Sequence, residues 1–323
     1  MVVCYPFRQR GNDNMGITVF GAVFVDVKGY PLAQYIPGGR NVGYVVQTHG
    51  GVSRNVAEDI ANVELRPTFV SVVDHSGMST DVIAKLKRHK VNTDYIVRSD
   101  DGLGTWLAVF DNNGDVTASI SKRPDLTPIG DVLKEHGKEI FEKADSIAVE
   151  IDMDVPILKQ IFALAKEYNK DVYAVVSNMS LAMERRDLLR SCSCIVCNEQ
   201  EAGMLFSIDY ENRTPEEFLE FLKQGIHKAG FKKMVVTMGE AGAVYASQDG
   251  ECGVTPAQTV DVIDTTGAGD AFFAGCTIGL TYGKTMAESC EIGTRLAASV
   301  ICTKESVCPR FQPQEFDLHV NVE

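Results

Sequence analysis

The stretch Val260-Asp261-Val262-Ile263-Asp264-Thr265-Thr266-Gly267-Ala268-Gly269-Asp270-Ala271-Phe272-Phe273-Ala274-Gly275 decides how the rest of the chain reads. A β-prone run ends at Asp264, a turn of small residues follows, and an apolar helix starts at Ala268, with Gly275 and Gly279 open to close packing. Gly267 and Gly269 can take positive φ, so the amides of Gly267, Ala268 and Gly269 are expected to converge on an anion at the positive end of that helix. Such a cradle stabilises charge developing on a phosphoryl group. Asp270, in the first helical turn, does not fit anion binding alone, because a carboxylate and a phosphate repel. It either takes or orients the proton of a hydroxyl beside the phosphate, or it caps the helix and favours its dipole.

Outward from this loop, short apolar runs alternate with amphipathic segments, the pattern of a parallel sheet covered by helices. Strands are expected at Ile17–Val25, Arg66–Val73, Ser146–Ile151, Asp171–Val176, Cys194–Cys197 and Lys233–Met238, and helices at Val52–Val63, Ser79–His89, Val155–Tyr168, Thr214–Ala229, Ala268–Tyr282 and Thr285–Cys302. Asp154-Val155-Pro156 and Asn212-Arg213-Thr214-Pro215 read as helix starts. Tyr35–Thr48 and Thr105–Ile120 break the rhythm with antiparallel alternation, and Asp111-Asn112-Asn113-Gly114-Asp115 is a hairpin turn signal. These two regions predict a small β-sheet projecting from the α/β body.

The chain has 323 residues, of which 45% are hydrophobic and 23% charged, enough for a large core. A net charge of −13 excludes a broad nucleic-acid footprint but leaves room for a nucleotide, whose phosphates backbone amides can hold. No run is long and apolar enough to span a bilayer. Met1–Gly16 is polar and lacks the apolar centre of a signal peptide, so the expected place is the cytoplasm. The 9 cysteines then read as reduced thiols. Cys192, Cys194 and Cys197 lack a fourth ligand and a second knuckle, and fit a half-buried strand better than zinc.

Near the N-terminus, His49-Gly50-Gly51-Val52-Ser53-Arg54-Asn55-Val56-Ala57 places two glycines before a helix that carries an asparagine one turn in. Bare backbone at Gly50 and Gly51 would let a sugar approach, and Asn55 can both donate to and accept from a diol. The plainer reading is a glycine-started helix with Asn55 on its wet face.

The string from Asp264 to Asp270, with Ala271-Phe272-Phe273-Ala274-Gly275 after it, resembles the C-terminal signature of the ribokinase family of carbohydrate kinases, also called the phosphofructokinase B family. Gly50-Gly51 with Asn55 resembles its N-terminal signature. The loop Asp264–Asp270 matches neither the dinucleotide fingerprint nor the Walker loop, which need Gly-x-Gly-x-x-Gly and Gly-Lys-Ser/Thr. The resemblance runs from Ile17 to about Pro309 with its elements in family order. It implies that Asp26, at the end of the first strand, anchors substrate hydroxyls and that Glu150 reaches the sugar, with Asp152 competing for that role. It implies that Asn198-Glu199-Gln200-Glu201 organises magnesium through Glu201, although Asn-x-x-Glu is also an ordinary capping pattern. It further implies that ATP lies along Thr237, Gly239 and Gly242, with Thr265 and Asn198 in reach.

Three positions depart from the family pattern. Val196-Cys197 stands where relatives have Lys-Pro, and Val175-Val176-Ser177 where many have Asp-Pro. Ser306 occupies a place often held by glycine beside Asp264, which argues against activation by potassium at a monovalent-cation site there. Val25-Asp26-Val27-Lys28-Gly29-Tyr30, Pro37-Gly38-Gly39 and Gly51–Ala57 are most similar to the pseudouridine kinase branch.

The expectation is a three-layer α/β/α sandwich of the ribokinase type spanning 17–309, with lid strands from about 35–48 and 105–120 and peripheral termini at 1–16 and 310–323. Its implied activity is ATP- and magnesium-dependent phosphorylation of a primary hydroxyl on a sugar or a nucleoside such as pseudouridine. A kinase for ribose, fructose or a keto-sugar acid is the alternative, and a silent sugar- or nucleotide-binding regulator is the alternative from another class. A homodimer through the lid is expected, because exposed sheet edges invite pairing.

Overall fold

Apolar β-branched runs that tolerate burial on both sides form the centre of the protein, in a computed structural model that describes residues 15–177, 182–211 and 213–320. The expected N-terminal tail up to 14, and Asn212 of the second helix start, lie outside the described residues. The main sheet contains β1 (Gly16–Phe20), β4 (Thr68–Val73), β5 (Ile96–Arg98), β8 (Ala144–Glu150), β9 (Val172–Val175), β10 (Cys194–Asn198), β11 (Lys233–Thr237), β12 (Ala243–Ser247) and β13 (Cys252–Thr255). Its order is β13-β12-β11-β10-β9-β8-β1-β4-β5, parallel from β11 to β5 and closed at the other edge by the antiparallel pair β12 and β13. Most residues of β1, β4, β8, β9 and β10 are buried, because helices cover both faces.

One face carries α3 (Pro128–Lys143), α4 (Val155–Glu167), α5 (Arg186–Ser191), α6 (Glu199–Phe206) and α7 (Pro215–Ala229), whose Phe141, Leu158, Leu189, Leu205 and Phe218 share one core. The opposite face carries α1 (Val52–Asn62), α2 (Gly77–Arg88), α8 (Ala268–Thr281) and α9 (Met286–Ile301), packed around Val56, Leu86, Phe273 and Leu296. Each such fully buried side chain contributes about 1.5–3 kcal/mol. Helices α8 and α9 cross where both lack side chains: a Cβ on Gly275 would come within 2.5 Å of Gly293 Cα. Thr214 and Thr285 cap α7 and α9 with reciprocal glutamates at N3.

The second sheet is the lid, in the order β3 (Gly43–Gly50), β2 (Phe24–Pro31), β6 (Gly104–Phe110), β7 (Val116–Lys122). Asp111 closes the β6–β7 turn by accepting from the backbone of Asn113 and Asp115 at 2.8 and 2.9 Å. The lid is larger than its sequence signal. Ile17–Val25 is two strands, since the chain leaves the main sheet at Gly21 and enters the lid at Phe24. An apolar run does not show where a strand passes from one sheet to another. The β-prone run before Asp264 also departs from expectation: 256–262 joins no strand and is tied to the body where Ile263 and Asp264 N–H donate to Ile301 O at 2.9 and 3.3 Å.

Candidate active site

Parallel strands β1, β8, β10 and β11 all end on one rim, at Phe20, Glu150, Asn198 and Thr237, where open α/β sheets place ligands. Helices α1 and α8 start at the same rim, and the lid rises beside it. Asp26 lies in lid strand β2, paired with Thr48 and Trp106, and not at the end of a central strand.

The two glycines before α1 are used by the protein itself. Gly51 has φ +99°, and a Cβ there would meet Ala22 O at 2.9 Å and Phe24 N at 3.0 Å. A Cβ on Gly50 would sit 2.5 Å from Asp26 Oδ1, so this position gives the carboxylate its room. Asn55, on the first turn of α1, donates from Nδ2 to Asp270 Oδ2 at 2.7 Å. Asp26, Gly50, Asn55 and Asp270, read from segments more than 200 residues apart, thus form one surface.

Gly267, at φ +86°, begins α8 and lies so close to the 306 segment that a Cβ would approach Ser306 O to 2.1 Å. Gly269 departs from expectation. It has an ordinary helical conformation, with open space where its Cβ would be, so it clears room without needing positive φ. Ala268 N–H donates back to Thr265 O at 3.2 Å and closes the turn, while Asp264 Oδ1 accepts from Thr266 N–H at 2.9 Å. The first-turn amides of Gly269 and Asp270 have no carbonyl partner within the helix, which is the donor set an oxyanion needs.

Glu150, at the end of β8, is buried and is among the charges that raise Asp270. Its Oε2 accepts from Ser53 Oγ at 2.6 Å and Ala22 N–H at 3.3 Å, joining the ends of β8 and β1 to α1. Asp152 Oδ2 accepts from Ser177 Oγ at 2.6 Å and Arg123 Nη2 at 3.3 Å.

The sequence pattern of the pfkB family carbohydrate kinases matches residues 15–310. The chain belongs to the pfkB family. A guanosine-inosine kinase of Exiguobacterium acetylicum is 32% identical over 292 residues, covering 90% of this chain and 95% of that one. A pseudouridine kinase of Escherichia coli (strain K12) is 26% identical over 275 residues, covering 84% and 86%. An Arabidopsis thaliana ribokinase complexed with ribose and ATP superposes with a TM-score of 0.81 at 19% identity, covering 95% of this chain and 100% of that one, which supports the ribokinase-like fold. As a pfkB-family member the protein is an ATP-dependent kinase for a sugar or nucleoside hydroxyl.

For such a kinase the electrostatics of Asp270 are telling. Burial pushes its carboxyl up to about 7; Asn55 and Arg54 pull it down, and Glu150 and Asp26 push it up. Asp26 is also raised, mainly by burial and against the pull of Lys28 and Arg54. A base near neutrality accepts a hydroxyl proton most effectively at physiological pH.

The residues expected to border the nucleotide are mostly bonded locally. Asn198 Oδ1 accepts from Glu201 N–H, and Glu201 Oε2 accepts from Asn198 N–H, both at 2.8 Å, a complete capping box that starts α6. Burial raises the Glu201 carboxyl, and Asp152 adds to this. Thr237 Oγ1 donates to Cys197 O at 3.4 Å. Gly239 opens a 3-10 turn with free space at its Cβ, whereas Gly242 packs its backbone on Thr255 O. Thr265 is exposed on the loop. Gly239 and Gly269 both have open space where a Cβ would stand.

Cys192, just after α5, and Cys197 pack into one core and Cys194 into the core across the sheet, so the three lie on both sides of β10, where they cannot share a metal. Burial pushes the Cys192 thiol up to about 12. Among the described residues no helix is long and apolar enough to cross a membrane.

Sequence reasoning missed two parts of the site. One is buried Arg54, whose signal was an Arg54–Glu58 pair at helical spacing directly after the glycines. The other is an aromatic row on the lid. Tyr30 stacks on Tyr44 at 5.2 Å and on Phe110 at 4.7 Å, and Trp106 meets Phe110 edge-on at 6.5 Å. Strand register puts this row on the face that carries Asp26, and Asp264 is among the charges felt by Tyr30.

Proposed function

We propose that the acceptor is a ribonucleoside, phosphorylated on its primary hydroxyl. The observation that carries this is the aromatic row Trp106, Phe110, Tyr30 and Tyr44 on the lid face that bears Asp26. A base, with a π-face of its own, stacks on such rings for about 1–3 kcal/mol, and a free sugar offers only its C–H face. The guanosine-inosine kinase and the pseudouridine kinase among the relatives both act on a base joined to a sugar, and the former supports a purine first.

In this reading Asp26 binds the ribose hydroxyls and Asn55 holds Asp270 by its Oδ2, leaving Oδ1 for the proton of the attacking hydroxyl. ATP with Mg2+ supplies the phosphoryl group. The amides of Gly269 and Asp270 face its growing negative charge, Glu201 organises the magnesium shell, and Thr237 to Gly242 with Thr265 and Asn198 border the nucleotide. Asp264 shapes the loop through Thr266 and needs no cation for that. Val45, Leu107 and Ile120 are exposed on the lid face away from Asp26, where a second copy of the chain would pair.

The test is ADP release with Mg-ATP and, in parallel, inosine, guanosine, pseudouridine, ribose and fructose. A kcat/KM for a nucleoside at least tenfold above that for ribose is expected, and Trp106→Ala should erase the advantage. Selective turnover of fructose or ribose would remove the reading, and ligand-induced stabilisation without ADP would indicate a binder.

A further inference from the structure

Arg54 is 1% exposed on α1, directly under the glycine turn, and none of the roles above uses it. Its guanidinium reaches three separate pieces of chain. Nε donates to Gly50 O at 3.3 Å and Nη2 to His49 O, both within the turn that makes room for Asp26. Nη1 donates to Glu58 Oε2 at 2.8 Å, which balances the charge inside the helix layer. Nη2 also lies 3.4 Å from Ser306 Oγ, and Ser306 Oγ in turn lies 3.4 Å from Asn55 Oδ1.

The 306 segment is what the phosphate loop leans on, since Gly267 packs against Ser306 O. The same segment is pinned to α1 one turn further on. Cys308 N–H donates to Asp59 Oδ1 at 2.7 Å and Asn62 Nδ2 donates to Cys308 O at 2.6 Å. A fork of fixed shape with five donors suits such a junction, and a lysine, with a single point of charge, does not.

We infer that Arg54 is a positioning residue that holds the acceptor turn at His49–Gly50 in register with the phosphate loop through Ser306, and so sets Asp270 against the acceptor hydroxyl. It also biases Asp270 electrically. Among the described residues the charges felt by Asp270 include Glu150 from β8 and Asp26 from the lid, which push its carboxyl up, and Arg54 from α1, which pulls it down; Asp59, also on α1, is itself held well above the usual carboxylate range by burial. Without Arg54 the Asp270 carboxyl keeps two acidic neighbours and rises further. The inference rests on Asp270 as the base for its electrical part, and on geometry alone for the register.

Arg54→Lys keeps the charge beside Glu58 and loses the fork. It should fold, keep its acid limb, and lose about tenfold in kcat/KM for the acceptor with the KM for ATP unchanged, equivalent to about 1.4 kcal/mol. Arg54→Met should show the same loss and an acid limb moved to higher pH by roughly half a unit or more. Wild-type kcat/KM in Arg54→Lys, or an unmoved limb in Arg54→Met, would overturn the inference. Should Arg54→Met not fold, Ser306→Ala replaces it; a several-fold loss without a limb shift is expected, and wild-type kinetics in Ser306→Ala overturns the inference. Asp270→Asn separates the two readings. If it is inactive while Arg54→Lys is normal, only the positioning role fails; if it turns over normally while Arg54→Lys is impaired, only the base role fails.

Discussion

The proposed acceptor half of the site and the proposed nucleotide half are built in opposite ways. Asp26, Gly50, Asn55 and Asp270 come from the lid, α1 and α8; Gly50 gives Asp26 its room, and Asn55 bonds Asp270 across 215 residues of sequence. Asn198, Glu201, Thr237, Gly239 and Asp264 mostly bond within their own turns, as in the Asn198–Glu201 box and the Asp264–Thr266 contact. A half wired through the tertiary structure fixes where a hydroxyl and its base meet. A half made of local turns offers backbone and open space to a long, flexible ligand. Substitutions in the first should therefore damage chemistry, and those in the second should alter ligand affinity.

Asp270→Asn gives the sharpest break. It should lower kcat by about 10³-fold, in the range expected of a general base, with the acceptor Kd from calorimetry nearly unchanged. Gly50→Ala comes next, because its Cβ would lie 2.5 Å from Asp26 Oδ1 and must displace it. Its acceptor KM should rise by roughly 10- to 100-fold while the KM for ATP stays put. Glu201→Gln probes the other half. A glutamine can still accept from Asn198 N–H, so thermal stability should hold while the Mg2+ concentration for half-maximal rate rises about threefold, on the order of 0.6 kcal/mol. An unchanged Mg2+ requirement would leave Glu201 as a cap alone.

A separate effect falls on stability instead of turnover. Burial raises Asp270 above its unfolded value of 3.8 to about 7, so it destabilises the fold increasingly as pH rises between those values. Asp270→Asn removes that penalty. Denaturant melts should show no gain near pH 4 and a gain of roughly 1–2 kcal/mol above pH 7.

The contrast also governs what could be read in the sequence. Asn198-x-x-Glu201 and the hairpin at Asp111–Asp115 are complete within a few residues, and their geometry follows from the letters. The parallel layers were legible too, since the buried runs at Thr68–Val73 and Lys233–Thr237 have no other stable use. Arg54 was not, because a buried guanidinium is explained only by carbonyls at His49 and Gly50 and a serine 252 residues away. Asp26 was placed on the wrong sheet for the same reason: hydrophobicity alone does not mark the break at Gly21. Glu150 stands where the sequence puts it, at the end of a buried strand, but its bonds to Ser53 and Ala22 join segments that the letters do not connect.

The claim at the centre of this account is that the tertiary wiring around Asp270 holds a base near neutrality at the acceptor hydroxyl. The direct measurement is kcat/KM for the preferred nucleoside from pH 5 to 9 at saturating Mg-ATP. The account predicts a rise of tenfold per pH unit below about 7 and a plateau above it, with that limb absent from the residual activity of Asp270→Asn. A profile flat across this range, or a limb that persists unchanged in Asp270→Asn, would contradict it.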